Sequence, residues 1–186
     1  MAPVETARPE MDVVSSVEEL IGETPLLRLD AFAGNLLGKL EGQNPYSVKD
    51  RIAREILDTA EREGDIEPGG TVVESTSGNT GIGLAAVSAA RGYDCVLTMP
   101  SSMSQERRDM LRALGAELEL TPAEDGMSGA NRRAEEIAGD HGDAVLARQF
   151  ENGANPKAHR QTTGPELWRA TDGDLDAVVA GVGTGG

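Results

Sequence analysis

The sequence has little cysteine, histidine, lysine or aromatic content: one cysteine, two histidines, three lysines, and 3% aromatic residues among its 186 positions. The single Cys95 permits no intramolecular disulfide, and its apolar context, YDCVLTM, favours a buried inert thiol over a nucleophile. His141 and His159 lie apart, without HxxxH or CxxC spacing. We therefore expect no metal site.

Positive charge is also scarce. The chain has 17 basic and 32 acidic residues, which gives a net charge of −15. Such a chain repels phosphate backbones and anionic lipid surfaces, so neither nucleic acid nor a membrane is an expected partner. No apolar run approaches the roughly 20 residues that span a bilayer. The opening segment, MAPVETARPEMD, lacks the apolar core of a signal peptide, which predicts a cytoplasmic location.

Strand-like and helix-like segments alternate along the chain. Short apolar runs indicate strands at TPLLRL, NLLGKLE, TVVEST, DCVLTM, AELEL, AVLA and DAVVA, the last near Ala177 to Ala180. Helical spacing appears in VKDRIAREILDTAEREG, NTGIGLAAVSAARG, SQERRDMLRALG, SGANRRAEEIAGDHG and PKAHRQTTGPELWRAT. This repetition predicts an α/β fold with a mainly parallel sheet and crossover helices.

The junction ESTSGNTGIG connects a buried-type strand to a helix. Hydroxyl residues and glycines gather there, where unpaired N–H groups and the positive end of the helix dipole favour an anion. Thr76, Ser77 and Thr80 can add hydroxyl donors. The alternative is an ordinary N-cap, but a single cap needs only one such residue.

A second candidate loop is AGVGTGG, at the end of the segment DAVVA. Glycines there let the backbone approach a phosphate closely, since no Cβ intervenes. The loop lacks the GK[ST] of a Walker motif and the complete GxGxxG of a dinucleotide site. Taken alone, it is equally compatible with a plain glycine-rich turn.

The third candidate is Lys49, in NPYSVKDRI, at the start of a predicted helix. A cation at a helix N-terminus is mildly unfavourable, and most such lysines are simply solvated. Its presence is explained if the amine is used covalently, because lysine forms Schiff bases with carbonyl cofactors. A Schiff-base lysine, a phosphate loop and a carboxylate-binding helix start together suit a pyridoxal phosphate enzyme that acts on an amino acid.

These segments closely resemble the cysteine synthase (O-acetylserine sulfhydrylase) and cystathionine β-synthase family of fold-type-II pyridoxal phosphate enzymes. The resemblance is carried, in order, by IGETPLLRL, NPYSVKDRI, ESTSGNTGIGLA, TMPSSMSQERR, LGAELELTP, RQFENGANPKAHRQTTGPELW and AGVGTGG. It implies a tryptophan synthase β-like fold of two three-layer αβα domains. Residues 43–150 would form the smaller domain, and residues 13–42 and 151–186 part of the larger one, whose remainder is expected to be absent.

The resemblance also implies roles for individual residues. Lys49 would form the internal aldimine with pyridoxal 5′-phosphate and serve as catalytic base and acid, and Asn79 would lie beside the cofactor's 3′ oxygen. The substrate carboxylate would be bound by Thr76, Ser77, Gly78, Thr80 and Gln149. The phosphate would be held by Gly183, Thr184, Gly185 and Gly186.

The implied reaction is β-replacement, in which O-acetyl-L-serine and sulfide give L-cysteine. The implied assembly is a homodimer, with serine acetyltransferase as a further partner. One alternative is cystathionine β-synthase or another β-replacement enzyme, which the same lysine and TSGNT loop would serve. An alternative of another class is a catalytically inactive fragment or a binding module.

Overall fold

The computed structural model describes residues 13–32 and 34–186. Its main feature is a four-stranded parallel sheet with the strand order β5-β4-β3-β6. These strands are β3 (Thr71–Ser75), β4 (Asp94–Pro100), β5 (Glu117–Thr121) and β6 (Ala144–Leu146). A separate antiparallel hairpin precedes them, formed by β1 (Leu26–Arg28) and β2 (Leu37–Lys39). The α/β fold predicted from the alternating segments is confirmed.

Helices cover both faces of the parallel sheet. The α-helices are α1 (Lys49–Glu63), α2 (Asn79–Arg91), α3 (Gln105–Ala113), α4 (Gly126–Asp140), α5 (Ala154–Ala158) and α6 (Gly164–Ala170), and of these α2, α3 and α4 pack directly against the sheet. Successive strand residues point to opposite faces. Val72 accordingly packs in the larger core with residues of α1, α2 and α3, whereas Val73 packs against α4. The result is a three-layer arrangement that buries β3 from both sides.

The segment predicted as one helix around PKAHRQTTGPELWRAT is helical but not uniform. A π-helical turn at His159–Thr163 separates α5 from α6. Pro165 follows at the start of α6 and has no backbone N–H to donate, which favours a local change in the hydrogen-bond pattern.

The prediction of a strand near Ala177 to Ala180 is wrong. That segment is irregular, and Val178 and Val179 are 65% and 96% exposed. A strand needs a neighbouring strand to pair its N–H and C=O groups, and no strand of the described residues lies beside this segment.

Among the described residues, no helix combines the length and apolar composition that crossing a bilayer requires. The same part of the chain contains no group of three or more His, Cys, Asp or Glu side chains placed to hold a metal ion.

Candidate active site

The connection between β3 and α2 contains the TSGNT loop. Gly78 precedes α2 in an extended conformation, and no side chain caps the helix. Thr76, Ser77 and Thr80 are buried, whereas Asn79 is exposed at the first position of the helix. The hydroxyl groups therefore do not serve as an ordinary N-cap, and the N–H groups of the first helical turn keep their capacity to bind an anion.

Gln149 lies beside this loop. The strands β3 and β6 are parallel neighbours, so the loops that follow them meet at the same edge of the sheet. The Thr80 hydroxyl donates to Gln149 Oε1, across 69 residues of sequence. The structure thus brings together two residues that the family resemblance assigned to the substrate carboxylate.

The turn that presents Gln149 has two further features. Arg148 has a φ of +49°, which is uncommon for a residue other than glycine. The backbone N–H of Gln149 donates to Glu74 Oε2 at 3.3 Å. Glu74 is the only charged residue in the strand TVVES. A charged residue within an apolar strand indicates a buried carboxylate, but the sequence analysis did not identify Glu74. Burial raises the pKa of Glu74 to about 7.

Lys49 is the first residue of α1 and is half-buried. Its Nζ donates to Thr184 Oγ1 at 3.0 Å, across 135 residues of sequence. Burial lowers the pKa of Lys49, because a desolvated ammonium is less favourable than a neutral amine. Among the described residues it is also the one lysine without a carboxylate partner, since Lys39 pairs with Glu166 and Lys157 with Glu55.

The glycine loop lies against α5 and the π-helical turn. A Cβ on Gly186 would be 2.0 Å from Asn155 Oδ1 and 3.1 Å from the ring of His159, so a larger residue there would require the Asn155 side chain to move. Gly185 has a φ of +85°, and a Cβ on Gly183 would meet nothing within 4 Å. These features fit a carbonyl cofactor that carries a phosphate. The Lys49 amine, whose pKa is lowered, suits the carbonyl group, and the Thr184 hydroxyl and the open backbone at Gly183 suit the phosphate.

Two residues missed by sequence reasoning lie in this region. Asn155 is 1% exposed, and its Nδ2 contacts Thr184 Oγ1 at 2.7 Å. His159 has a lowered pKa because it is half-buried and lies near the positive charges of Arg51 and Lys49. Both belong to the segment NPKAHRQTTG, which carried the family resemblance, but neither was assigned a role from it.

A buried ion cluster lies behind Lys49. Arg51 has a fully buried side chain and pairs with Glu41 at 2.7 Å and with Glu166 at 2.6 Å, while Lys39 also contacts Glu166 at 2.6 Å. Burial alone would raise the pKa of Glu166, but hydrogen bonds from Arg51 and Lys39 outweigh it and hold the pKa at about 2. The cluster joins residues on both sides of the domain boundary predicted at residue 43, which stays a prediction.

Comparison with known proteins identifies related sequences. The family model "Pyridoxal-phosphate dependent enzyme" matches residues 17–186. Cysteine synthase from Staphylococcus aureus (strain Mu50 / ATCC 700699) is 54% identical over 179 residues, or 93% of this chain and 57% of the relative. The chain therefore spans little more than half the length of this relative.

Solved structures share the fold. The crystal structure of cysteine synthase (OASS) from Entamoeba histolytica matches with a TM-score of 0.87 at 39% identity, covering 98% of this chain and 57% of the other. The crystal structure of cystathionine beta-synthase from Bacillus anthracis matches with a TM-score of 0.81 at 40% identity, covering 94% of this chain and 68% of the other. The similarity in fold thus extends to both enzymes.

Proposed function

The chain belongs to the family of pyridoxal-phosphate dependent enzymes, and on that basis we propose that the whole protein makes L-cysteine from O-acetyl-L-serine and sulfide. The 54% identity to a cysteine synthase favours this reaction over other β-replacements. The observation that carries the proposal is the contact between Lys49, whose pKa is lowered, and Thr184 of the glycine loop.

Lys49 has two roles in this proposal. Its Nζ would hold the cofactor covalently, and the same amine would remove and return the proton at the substrate's α carbon. A lowered pKa serves both roles, because only the neutral amine is a nucleophile or a base. When bound, pyridoxal phosphate supplies a ring that stabilises negative charge on the α carbon.

The other residues bind and orient. Thr76, Ser77, Gly78 and Thr80, with the Gln149 amide, would hold the substrate carboxylate at the uncapped start of α2. Asn79 is exposed at the first position of α2 and would bind the cofactor's 3′ oxygen. The loop of Gly183, Thr184, Gly185 and Gly186 would hold the phosphate.

The test is chemical trapping in the whole protein. Borohydride reduction after addition of pyridoxal phosphate should fix the cofactor on the peptide that contains Lys49, and Lys49→Ala should abolish both the adduct and cysteine formation. Lys157→Ala is the matched control, since Lys157 makes only a partly exposed ion pair with Glu55. An adduct on Lys39 or Lys157 in the wild-type protein would contradict the assignment.

Substrate assays decide among the alternatives. Cysteine formed from O-acetylserine and sulfide supports the proposal. Activity with serine and homocysteine, but not with O-acetylserine and sulfide, would identify a cystathionine β-synthase. Cofactor binding without any turnover would identify a binding module.

Location and assembly belong to the same proposal. We propose that the protein acts in the cytoplasm as a homodimer and that serine acetyltransferase is a partner, all three on the family resemblance. Analytical ultracentrifugation of the whole protein, alone and with serine acetyltransferase, measures both associations. A monomer that does not bind the acetyltransferase would contradict the proposed homodimer and the proposed partner.

A further inference from the structure

We propose that Asn155 is a positioning residue, which orients the Thr184 hydroxyl toward the cofactor phosphate and ties the glycine loop to the turn that presents Gln149. The inference rests on the proposed cofactor site but not on the identity of the reaction. It concerns a residue to which the family resemblance gave no role.

The Asn155 amide is almost completely buried, with 1% of the residue exposed. Its Nδ2 donates to Thr184 Oγ1 at 2.7 Å and to the backbone carbonyl of Gln149 at 2.8 Å. A carbonyl oxygen can only accept, so the nitrogen end of the amide must face Gln149 and the orientation of the group is determined. Both amide hydrogens are thereby used on two separate parts of the predicted site.

The contact with Thr184 has a consequence for the direction of the hydroxyl hydrogen. An amide nitrogen donates but does not accept, so Thr184 must accept from Asn155 through a lone pair and direct its own hydrogen elsewhere. In a glycine loop with open space around Gly183 and Gly185, that hydrogen is available to a bound anion. Asn155 therefore presets Thr184 as a hydrogen-bond donor to phosphate.

The other end of the amide also contacts the loop. Asn155 Oδ1 is buried and has no hydrogen-bond partner among the described residues. It faces Gly186, where a Cβ would lie 2.0 Å away. Asn155 thus contacts the glycine loop at both Thr184 and Gly186.

The experiment compares pyridoxal phosphate with pyridoxal, which lacks the phosphate but keeps the carbonyl group. In the whole protein, Asn155→Asp replaces the donor by a negative acceptor of the same shape. We expect its affinity for pyridoxal phosphate, measured by absorbance titration, to fall roughly ten- to a hundredfold, the usual effect of losing a hydrogen bond to a charged group. The affinity for pyridoxal should stay within about twofold of wild type, since its attachment needs only Lys49.

Asn152→Asp is the matched control. Asn152 lies in the same segment, and its Nδ2 also donates to a backbone carbonyl, that of Ala147, at 2.9 Å, but its side chain contacts no residue of the predicted site. It should change neither affinity by more than about twofold. Asn155→Ala removes the donor without adding a charge and should show the same phosphate-specific loss. A loss confined to Asn155→Asp would be repulsion between the new carboxylate and the phosphate, and would overturn the inference.

If Asn155 had a purely structural role, its replacement would lower the affinities for pyridoxal phosphate and pyridoxal equally, and that result would overturn the inference. The same phosphate-specific loss in Asn152→Asp would also overturn it. Failure of the wild-type protein to make cysteine would refute the proposed reaction and leave the ratio of the two affinities as a valid test.

Discussion

At the scale of single residues, Lys49 differs from the other two lysines in its surroundings. Lys39 and Lys157 each contact a carboxylate at 2.6 Å. Lys49 is half-buried and meets a hydroxyl group instead, so burial lowers its pKa without an opposing charge. The chain carries 32 acidic residues, yet none of those described pairs with this amine.

The raised pKa of Glu74 predicts that the stability of the fold falls as pH rises. Its pKa rises from 4.5 to about 7 on folding, so between these values the folded protein holds a proton that the unfolded chain has released. The free energy of unfolding should therefore fall as pH rises through this range, by up to about 3 kcal/mol at roughly 1.4 kcal/mol per pKa unit.

Urea unfolding of the wild-type protein and of Glu74→Gln at about pH 5 and pH 8 measures this contribution. The neutral variant should lose it, so the two proteins should differ in their stability change between these pH values. Equal changes in both proteins would show that Glu74 titrates normally.

At the scale of helices and strands, α1 and α2 pack closely at Gly83. A Cβ there would lie 3.1 Å from the Cβ of Ala53 and 3.1 Å from the carbonyl oxygen of Lys49. Neither atom can rotate away, because one is attached directly to the backbone and the other belongs to it. The glycine therefore sets the distance between the helix that carries Lys49 and the helix that follows the TSGNT loop.

Gly83→Ala should push these helices apart. We expect the cost of overpacking, typically about 1–3 kcal/mol, to exceed the gain in helix propensity of about 1 kcal/mol, and the affinity for pyridoxal phosphate to fall as Lys49 shifts. Urea midpoints and absorbance titration measure the two effects.

The control for this prediction is Gly139→Ala in α4, where an added Cβ meets nothing within 4 Å. It should leave cofactor affinity unchanged and stabilise the protein by up to about 1 kcal/mol. A Gly83→Ala variant that is as stable as Gly139→Ala would show that the helices adjust without cost.

The buried ion cluster joins the β1–β2 hairpin, α1 and α6 through Arg51 and Glu166. Removing Glu166 leaves the Arg51 guanidinium buried without one of its carboxylates, so Glu166→Ala should cost about 3–5 kcal/mol. The pKa of Glu166 is held at about 2, below its ordinary 4.5, so its contribution should be complete above pH 4.5 and lost as pH falls toward 2.

Thermal or urea unfolding at neutral pH checks this loss. Glu151→Ala removes the exposed partner of Arg148 and should cost less than about 1 kcal/mol. A similar small effect for Glu166→Ala would mean that the cluster contributes little to stability.

At the scale of the whole molecule, the glycine loop and the segment before it expose apolar side chains. Val179 and Val182 are 96% and 94% exposed, beside an irregular segment whose backbone has no strand partner among the described residues. Exposed apolar side chains of this kind promote association. The matched relatives are longer, since this chain covers 57% of the Staphylococcus aureus cysteine synthase.

We therefore predict that residues 1–186, as an isolated polypeptide, associate, bind pyridoxal phosphate poorly and have no measurable cysteine synthase activity. Light scattering after size exclusion, absorbance titration and a cysteine assay measure these properties. Replacing Val179 and Val182 by serine should reduce association without restoring cofactor binding. Turnover comparable with that of an intact enzyme would contradict the prediction.

Much of this architecture follows from local sequence. The parallel α/β arrangement, the start of α1 at Lys49 and the TSGNT connection were all predicted, because helix periodicity and short apolar runs depend on neighbouring residues. The family was also recognisable, since its motifs are contiguous segments. The cofactor and substrate roles of the individual residues remain predictions that the proposed experiments test.

Other features depend on contacts between residues far apart in the chain. Thr80 meets Gln149 across 69 residues, Gln149 meets Glu74 across 75, and Asn155 meets Thr184 across 29. The raised pKa of Glu74 exists only because packing buries its carboxyl group. The missing strand near Ala177 to Ala180 has the same cause: the apolar run supplies the propensity, but only a neighbouring strand can supply the hydrogen-bond partners.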